Sequence, residues 1–161
     1  MYRATLISLL LMLGLLAGCS ALSPFSTLTK LDLVLTASEQ VNPDLHGRPS
    51  PVVLQLIELR HGVAFEHADF FSLYDNAEQV LPKDWVSGEE VELRPGDRLA
   101  FKLRIEPDSR FVGVLAAYRD LPHVQWRLLV PLTAQQLNRV ELVLDQDGIR
   151  LAGPRYDKEV Q

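Results

Sequence analysis

The chain has 161 residues, 47% of them hydrophobic, and a net charge of −5 at pH 7. That length suits one domain with its own core, and the acidic balance argues against nucleic acid as a partner, because phosphate binding needs clustered Lys and Arg. The single cysteine, Cys19, leaves no pair for a disulfide, so apolar packing must hold the fold.

Residues 1–18 read as a leader. Arg3 supplies a positive start, Leu6 to Leu16 a short apolar stretch, and Leu16-Ala17-Gly18-Cys19 small residues closed by a thiol. The apolar stretch is too short for a permanent span, which needs about 20 residues. A cysteine at that place is what a diacylglyceryl thioether requires, so Cys19 is the expected lipidation site and the first residue after cleavage. Ser20 where an Asp would signal retention resembles the outer-membrane default, with the body facing the periplasm. With Arg3 removed, 15 basic side chains stand against 21 acidic ones.

Residues 19–30 mix Ser, Thr and Pro and suit a lipidated tether. The expected sandwich domain covers 31–153, and 154–161 form a charged, frayed tail. Leu31 to Ala37 alternates and predicts the first strand. Val41 to Pro51 holds Pro43, Pro49 and Pro51 among Asn42, Asp44 and Gly47, which stops helix and ladder alike and predicts a loop. Val52 to Leu59 is the second strand. Apolar residues from Phe65 to Val80 fall at spacings of three and four, predicting a helix in two pieces with Asp69 capping the second. Strands are then expected at 89–93, 99–105, 111–118, 124–130, 140–144 and 149–151. Pro95-Gly96 marks a type II turn, and Asp147-Gly148 a tight one. The fold class this implies is all-β: a two-sheet antiparallel β-sandwich with a short helical insertion between the second and third strands.

No pattern for catalysis stands out. His46, His61, His67 and His123 sit in four segments without metal-ligand spacing, there is no nucleophile elbow, and no Gly-rich phosphate loop occurs. No catalytic residue, metal or cofactor is expected. The aromatic set Phe65, Phe70, Phe71 and Tyr74 reads as the packing face of the helix. The Pro-rich loop is longer than a hairpin needs. Its prolines lower the ordering cost of binding, and Val41, Leu45 and the backbone around Gly47 would be presented to a protein. A plain crossover between two sheets accounts for the loop equally well.

Taken together, the lipobox, Val41-Asn42-Pro43-Asp44 leading through Arg48-Pro49-Ser50-Pro51 into Val52 to Leu59, the Phe65 to Tyr74 stretch, Leu93-Arg94-Pro95-Gly96 and Val112 to Asp120 ahead of Trp126-Arg127 resemble the TssJ (SciN/VasD) lipoproteins of the type VI secretion system. The resemblance covers nearly the whole chain after Cys19. It implies a transthyretin-like sandwich, no enzymatic activity, and an outer-membrane anchor that holds the periplasmic C-terminal domain of TssM and, through it, TssL. It also implies that the loop between strands 1 and 2 contacts TssM, which here places the contact on Val41, Asn42, Pro43, Asp44, Leu45, His46, Gly47 and Arg48. Two alternatives remain: a lipoprotein carrying a small hydrophobic ligand, which needs a cavity, and a cell-wall-acting enzyme, which needs a convergent polar site.

Overall fold

The computed structural model describes residues 27–153. The leader, Cys19, most of the tether and the tail 154–161 lie outside the described residues. The elements are β1 (Thr29–Ala37), β2 (Val52–Leu59), α1 (Val63–His67), α2 (Phe70–Val80), β3 (Trp85–Leu93), β4 (Arg98–Ile105), β5 (Phe111–Ala116), a 3-10 turn at Leu121–His123, β6 (Arg127–Pro131), β7 (Leu137–Asp145) and β8 (Gly148–Leu151). They form two four-stranded sheets: sheet A in the order β4-β1-β7-β8 and sheet B in the order β3-β2-β5-β6.

Alternation builds the core. Leu31, Leu33 and Leu35 of β1 turn inward, as do Leu142 and Leu144 of β7, to meet Val52 and Leu54 of β2 and Val114 and Ala116 of β5; none of these is more than 1% exposed. Each such Leu or Val contributes about 1.5–3 kcal/mol by leaving water. The two-sheet sandwich therefore forms as expected, with one departure: β1 and β7 run parallel, Leu33 opposite Val140. A parallel neighbour requires a long crossover, and here the whole of sheet B and the helices intervene between the two strands.

The helical insertion is in two pieces and covers the outer face of sheet B, where Ile57, Leu59 and Leu115 pack against Phe65, Phe70, Leu73 and Leu81. Gly113 makes this possible: a Cβ there would stand 2.9 Å from the Phe65 ring. Asp69 caps α2 by accepting from the Ser72 N–H at 3.0 Å, and this bonding to Ser72 holds its carboxyl below the ordinary range. Asn76, with φ −160° and ψ 56°, breaks α2 within its span. Trp85 opens β3, which is itself the edge strand and starts before the expected Glu89. β5 ends at Ala116, ahead of the expected Tyr118, and the β7–β8 turn lies on Gln146-Asp147, one residue before the expected pair.

Strand directions sort the connections into two poles. At one pole, Lys30 N–H donates to Gln136 O and Arg110 N–H to Leu59 O, gathering the start of β1, the β4–β5 corner and the β6–β7 loop. At the other, Ala37 N–H donates to Asp97 O and Ser38 N–H to Leu144 O, gathering the β1–β2 loop, the β3–β4 turn and the β7–β8 turn. The chain enters the domain at the first pole, and the Pro-rich loop stands at the second.

Candidate docking site

The β1–β2 loop is closed by its own hydrogen bonds. Ser50 N–H donates to Val41 O at 3.1 Å, and Asp44 N–H to Arg48 O at 2.9 Å, two rungs that hold its arms together. Gly47 N–H returns to Asp44 O at 2.9 Å, with Gly47 at φ +76°, a conformation that glycine adopts without penalty. The Asp44 carboxylate accepts from the N–H of His46 (2.8 Å) and of Arg48 (3.0 Å) and from Arg48 Nε (2.7 Å). Its acceptor capacity is spent inside the loop, which leaves Leu45 at the tip, fully exposed.

The expected contact residues divide at this point. Leu45, His46, Gly47 and Arg48 are exposed, and Pro43 and Asp44 half-buried. Val41 and Asn42, expected to face a partner with the rest, are buried at 0% and 4% exposure. Val41 belongs to the core between the sheets. Asn42 takes the left-handed conformation at φ 47°, donates from Nδ2 to Pro51 O at 2.7 Å and accepts at Oδ1 from Arg119 N–H at 2.8 Å. These two residues set the loop's position, and the surface they support is residues 43–48.

The Asn42 bond brings in residues that the sequence pattern did not single out for contact. A groove of about 670 Å³ runs between Pro43, Leu45 and His46 on one wall and Tyr118, Arg119 and Val124 on the other. The polar break Tyr118-Arg119-Asp120 after a buried strand is the signal in the sequence that marks the second wall. Tyr118 is 5% exposed and its hydroxyl has no partner among the described residues. Burial, with the Asp145 carboxylate adding to it, pushes the phenol well above its usual range. An unsatisfied buried hydroxyl costs about 1–3 kcal/mol, so Tyr118→Phe is expected to leave the melting temperature unchanged or to raise it by a few degrees in a calorimetric scan. A fall would show that the hydroxyl has a partner.

Hydrogen bonds from Arg48, its backbone N–H first and its side chain next, hold the Asp44 carboxyl below its ordinary value of 3.8. A depressed carboxylate contributes order that is complete above its unfolded value and is lost as pH falls through the folded one. The loop is therefore expected to keep one conformation through the neutral range. The Arg48 amide chemical shift should titrate with a midpoint below 3.8, and a midpoint at or above that value would contradict the geometry.

Among the described residues no group of three or more His, Cys, Asp or Glu side chains converges on a common point. His61 lies against Asp84 and His123 against Asp120, at 2.8 and 2.7 Å, in separate exposed pairs.

A two-sheet sandwich that holds one self-bonded, apolar-tipped loop away from its chain entry has the build of a binding module. The family described as "Type VI secretion lipoprotein, VasD, EvfM, TssJ, VC_A0113" matches residues 29–147. The chain belongs to this family of membrane-associated lipoproteins. It is similar to the type VI lipoprotein TssJ1 from Pseudomonas aeruginosa, at 33% identity and TM-score 0.76 over 78% of this chain and 95% of that one. It is also similar to Serratia marcescens Lip, a membrane-bound component of the type VI secretion system, at 27% identity and TM-score 0.70 over 78% and 98%. A more distant chain, at 21% identity and TM-score 0.64 over 78% and 98%, comes from a structure described as "T6SS protein TssM C-terminal domain (869-1107) from EAEC" and shares the fold. The comparison with curated proteins finds no match.

Proposed function

We propose that this lipoprotein is a non-enzymatic outer-membrane anchor, lipidated at Cys19 after removal of residues 1–18, that faces the periplasm and binds the C-terminal domain of TssM, and through it TssL, with the surface of residues 43–48. The observation that carries this reading is the opposition of the two poles. The tether enters where β1 starts, and the loop stands where β1 ends. A nine-residue strand spans about 30 Å, so a domain held by lipid at one end presents its loop toward the periplasm at the other.

Two further points support TssM as the partner. A chain of this fold occurs in the structure described as "T6SS protein TssM C-terminal domain (869-1107) from EAEC", which favours that domain as the partner. The loop is also pre-ordered by Asp44 and Asn42, which lowers the entropy lost on docking. A carrier of a hydrophobic ligand would need space between the sheets, and Leu33, Leu35, Leu54, Val114 and Leu142, none above 1% exposed, occupy it.

The test is titration of the full chain, in detergent, against the TssM periplasmic domain of the same organism. Saturable 1:1 binding is expected. Absence of binding by the wild-type chain would overturn the anchor reading.

A further inference from the structure

The helices cover the outer face of sheet B, while among the described residues no element covers the outer face of sheet A, which carries a segregated charge. The register places Lys30 on β1 between Arg104 on β4 and Leu137 on β7; two residues along, Asp32 lies between Lys102 and Arg139. Four cations thus share two adjacent rungs, on strands about 4.8 Å apart, with one carboxylate among them. All four are exposed, and none has a side-chain hydrogen bond or ion pair among the described residues.

The other half of the same face differs. There Arg98 meets Glu141 at 3.7 Å and donates to Thr36 Oγ1 at 3.0 Å, and Arg150 meets Asp145 at 3.1 Å. The unpaired half is the half nearest the tether. Like charges on neighbouring strands repel, which a chain of net charge −5 has acids enough to relieve, yet Glu89, Glu90 and Glu92 lie on the edge of the opposite sheet. Leu137, 42% exposed on the same rung as Lys30, adds an apolar side chain to the patch.

We propose that this tether-side half of sheet A, formed by Lys30, Lys102, Arg104, Arg139 and Leu137, seats on anionic phospholipid headgroups of the leaflet that holds the lipid anchor. The proposal rests on the lipidation of Cys19. From Cys19 to Thr29 the chain reaches at most about 35 Å, at 3.3–3.6 Å per residue, which keeps this corner within reach of the membrane. Screening restricts the attraction to about 8 Å at physiological salt, a range that the tether supplies. Basic side chains at an anionic surface add a second attachment to the acyl chains. With this corner seated, the domain has one orientation for its partner.

The experiment uses the full lipidated chain in vesicles, either wholly phosphatidylcholine or with about one third phosphatidylglycerol. Flotation with the neutral vesicles is read first, then amine-reactive labelling of individual lysines by mass spectrometry. Lys30 and Lys102 are expected to label at least about five-fold more slowly on the anionic vesicles, with Lys83 unchanged and high salt abolishing the difference. The variant K102Q/R104Q/R139Q, folded by circular dichroism, should lose the protection at Lys30. Equal labelling on the two vesicles, or equal protection of Lys83, would overturn the seated face while leaving the anchor standing. Failure to float with neutral vesicles would overturn the lipid anchor and the seated face together.

Discussion

Replacing Leu45 by aspartate is expected to weaken TssM binding by at least about 100-fold and to leave the fold untouched. Leu45 is fully exposed at the tip of the β1–β2 loop, with no neighbour to lose, and substitutions at such positions change stability by no more than about 0.5 kcal/mol. Its side chain is poised to gain about 1.5–3 kcal/mol on entering an apolar site of a partner. An aspartate forfeits that gain and adds the cost of desolvating a charge, and 100-fold corresponds to about 2.7 kcal/mol. The check is titration of wild type and variant against the TssM domain beside calorimetric melting of both. Equal affinities would take the tip out of the interface, and a lowered melting temperature would mean that Leu45 packs within its own chain.

The elements that a period reveals were legible in the sequence. Leu31-Leu33-Leu35 and Val52-Leu54-Leu56 alternate and became the facing strands β1 and β2. The spacing of Phe65, Phe70 and Leu73 became the helical cover, split where Asp69 caps. What a period does not carry is direction and register. The parallel pairing of β1 with β7 joins residues more than a hundred positions apart, and no local signal specifies it. The same holds for the basic corner: Lys102 and Arg104 alternate visibly, but only the register brings Lys30 and Arg139 beside them.

Within the loop, punctuation by proline marked where regular structure stops and concealed which residues turn inward. Val41 and Asn42 sit in the same Pro-rich run as Leu45, yet the rung between Ser50 N–H and Val41 O places the turn beyond them. The first two residues thereby join the body of the domain, and the exposed surface shrinks to 43–48. Replacement of the whole stretch 41–48 by a flexible linker would remove a core side chain and a bracket along with the contact surface, whereas changes at 44–48 leave both in place.

That bracket carries the second large effect. Asn42→Ala is expected to cost about 3 kcal/mol, because Pro51 O and Arg119 N–H each lose a partner at a part-buried position, at about 1–3 kcal/mol for each group left unsatisfied. Alanine also tolerates φ 47° less well than asparagine does. Asn42→Gly separates the two causes: it relieves the backbone while still losing both bonds, so it should recover about 1 kcal/mol relative to alanine and no more. In a thermal scan the alanine variant should melt about 10 °C below the wild type, with TssM binding weakened alongside because the loop no longer holds its pose against Arg119. The contrast with Leu45→Asp is the point of the pair: one variant should lose binding with stability intact, the other should lose both. A glycine variant as stable as the wild type would mean that the Asn42 side chain does not bind the loop to the β5 exit, and the pre-ordering on which the docking surface depends would have to come from Asp44 alone.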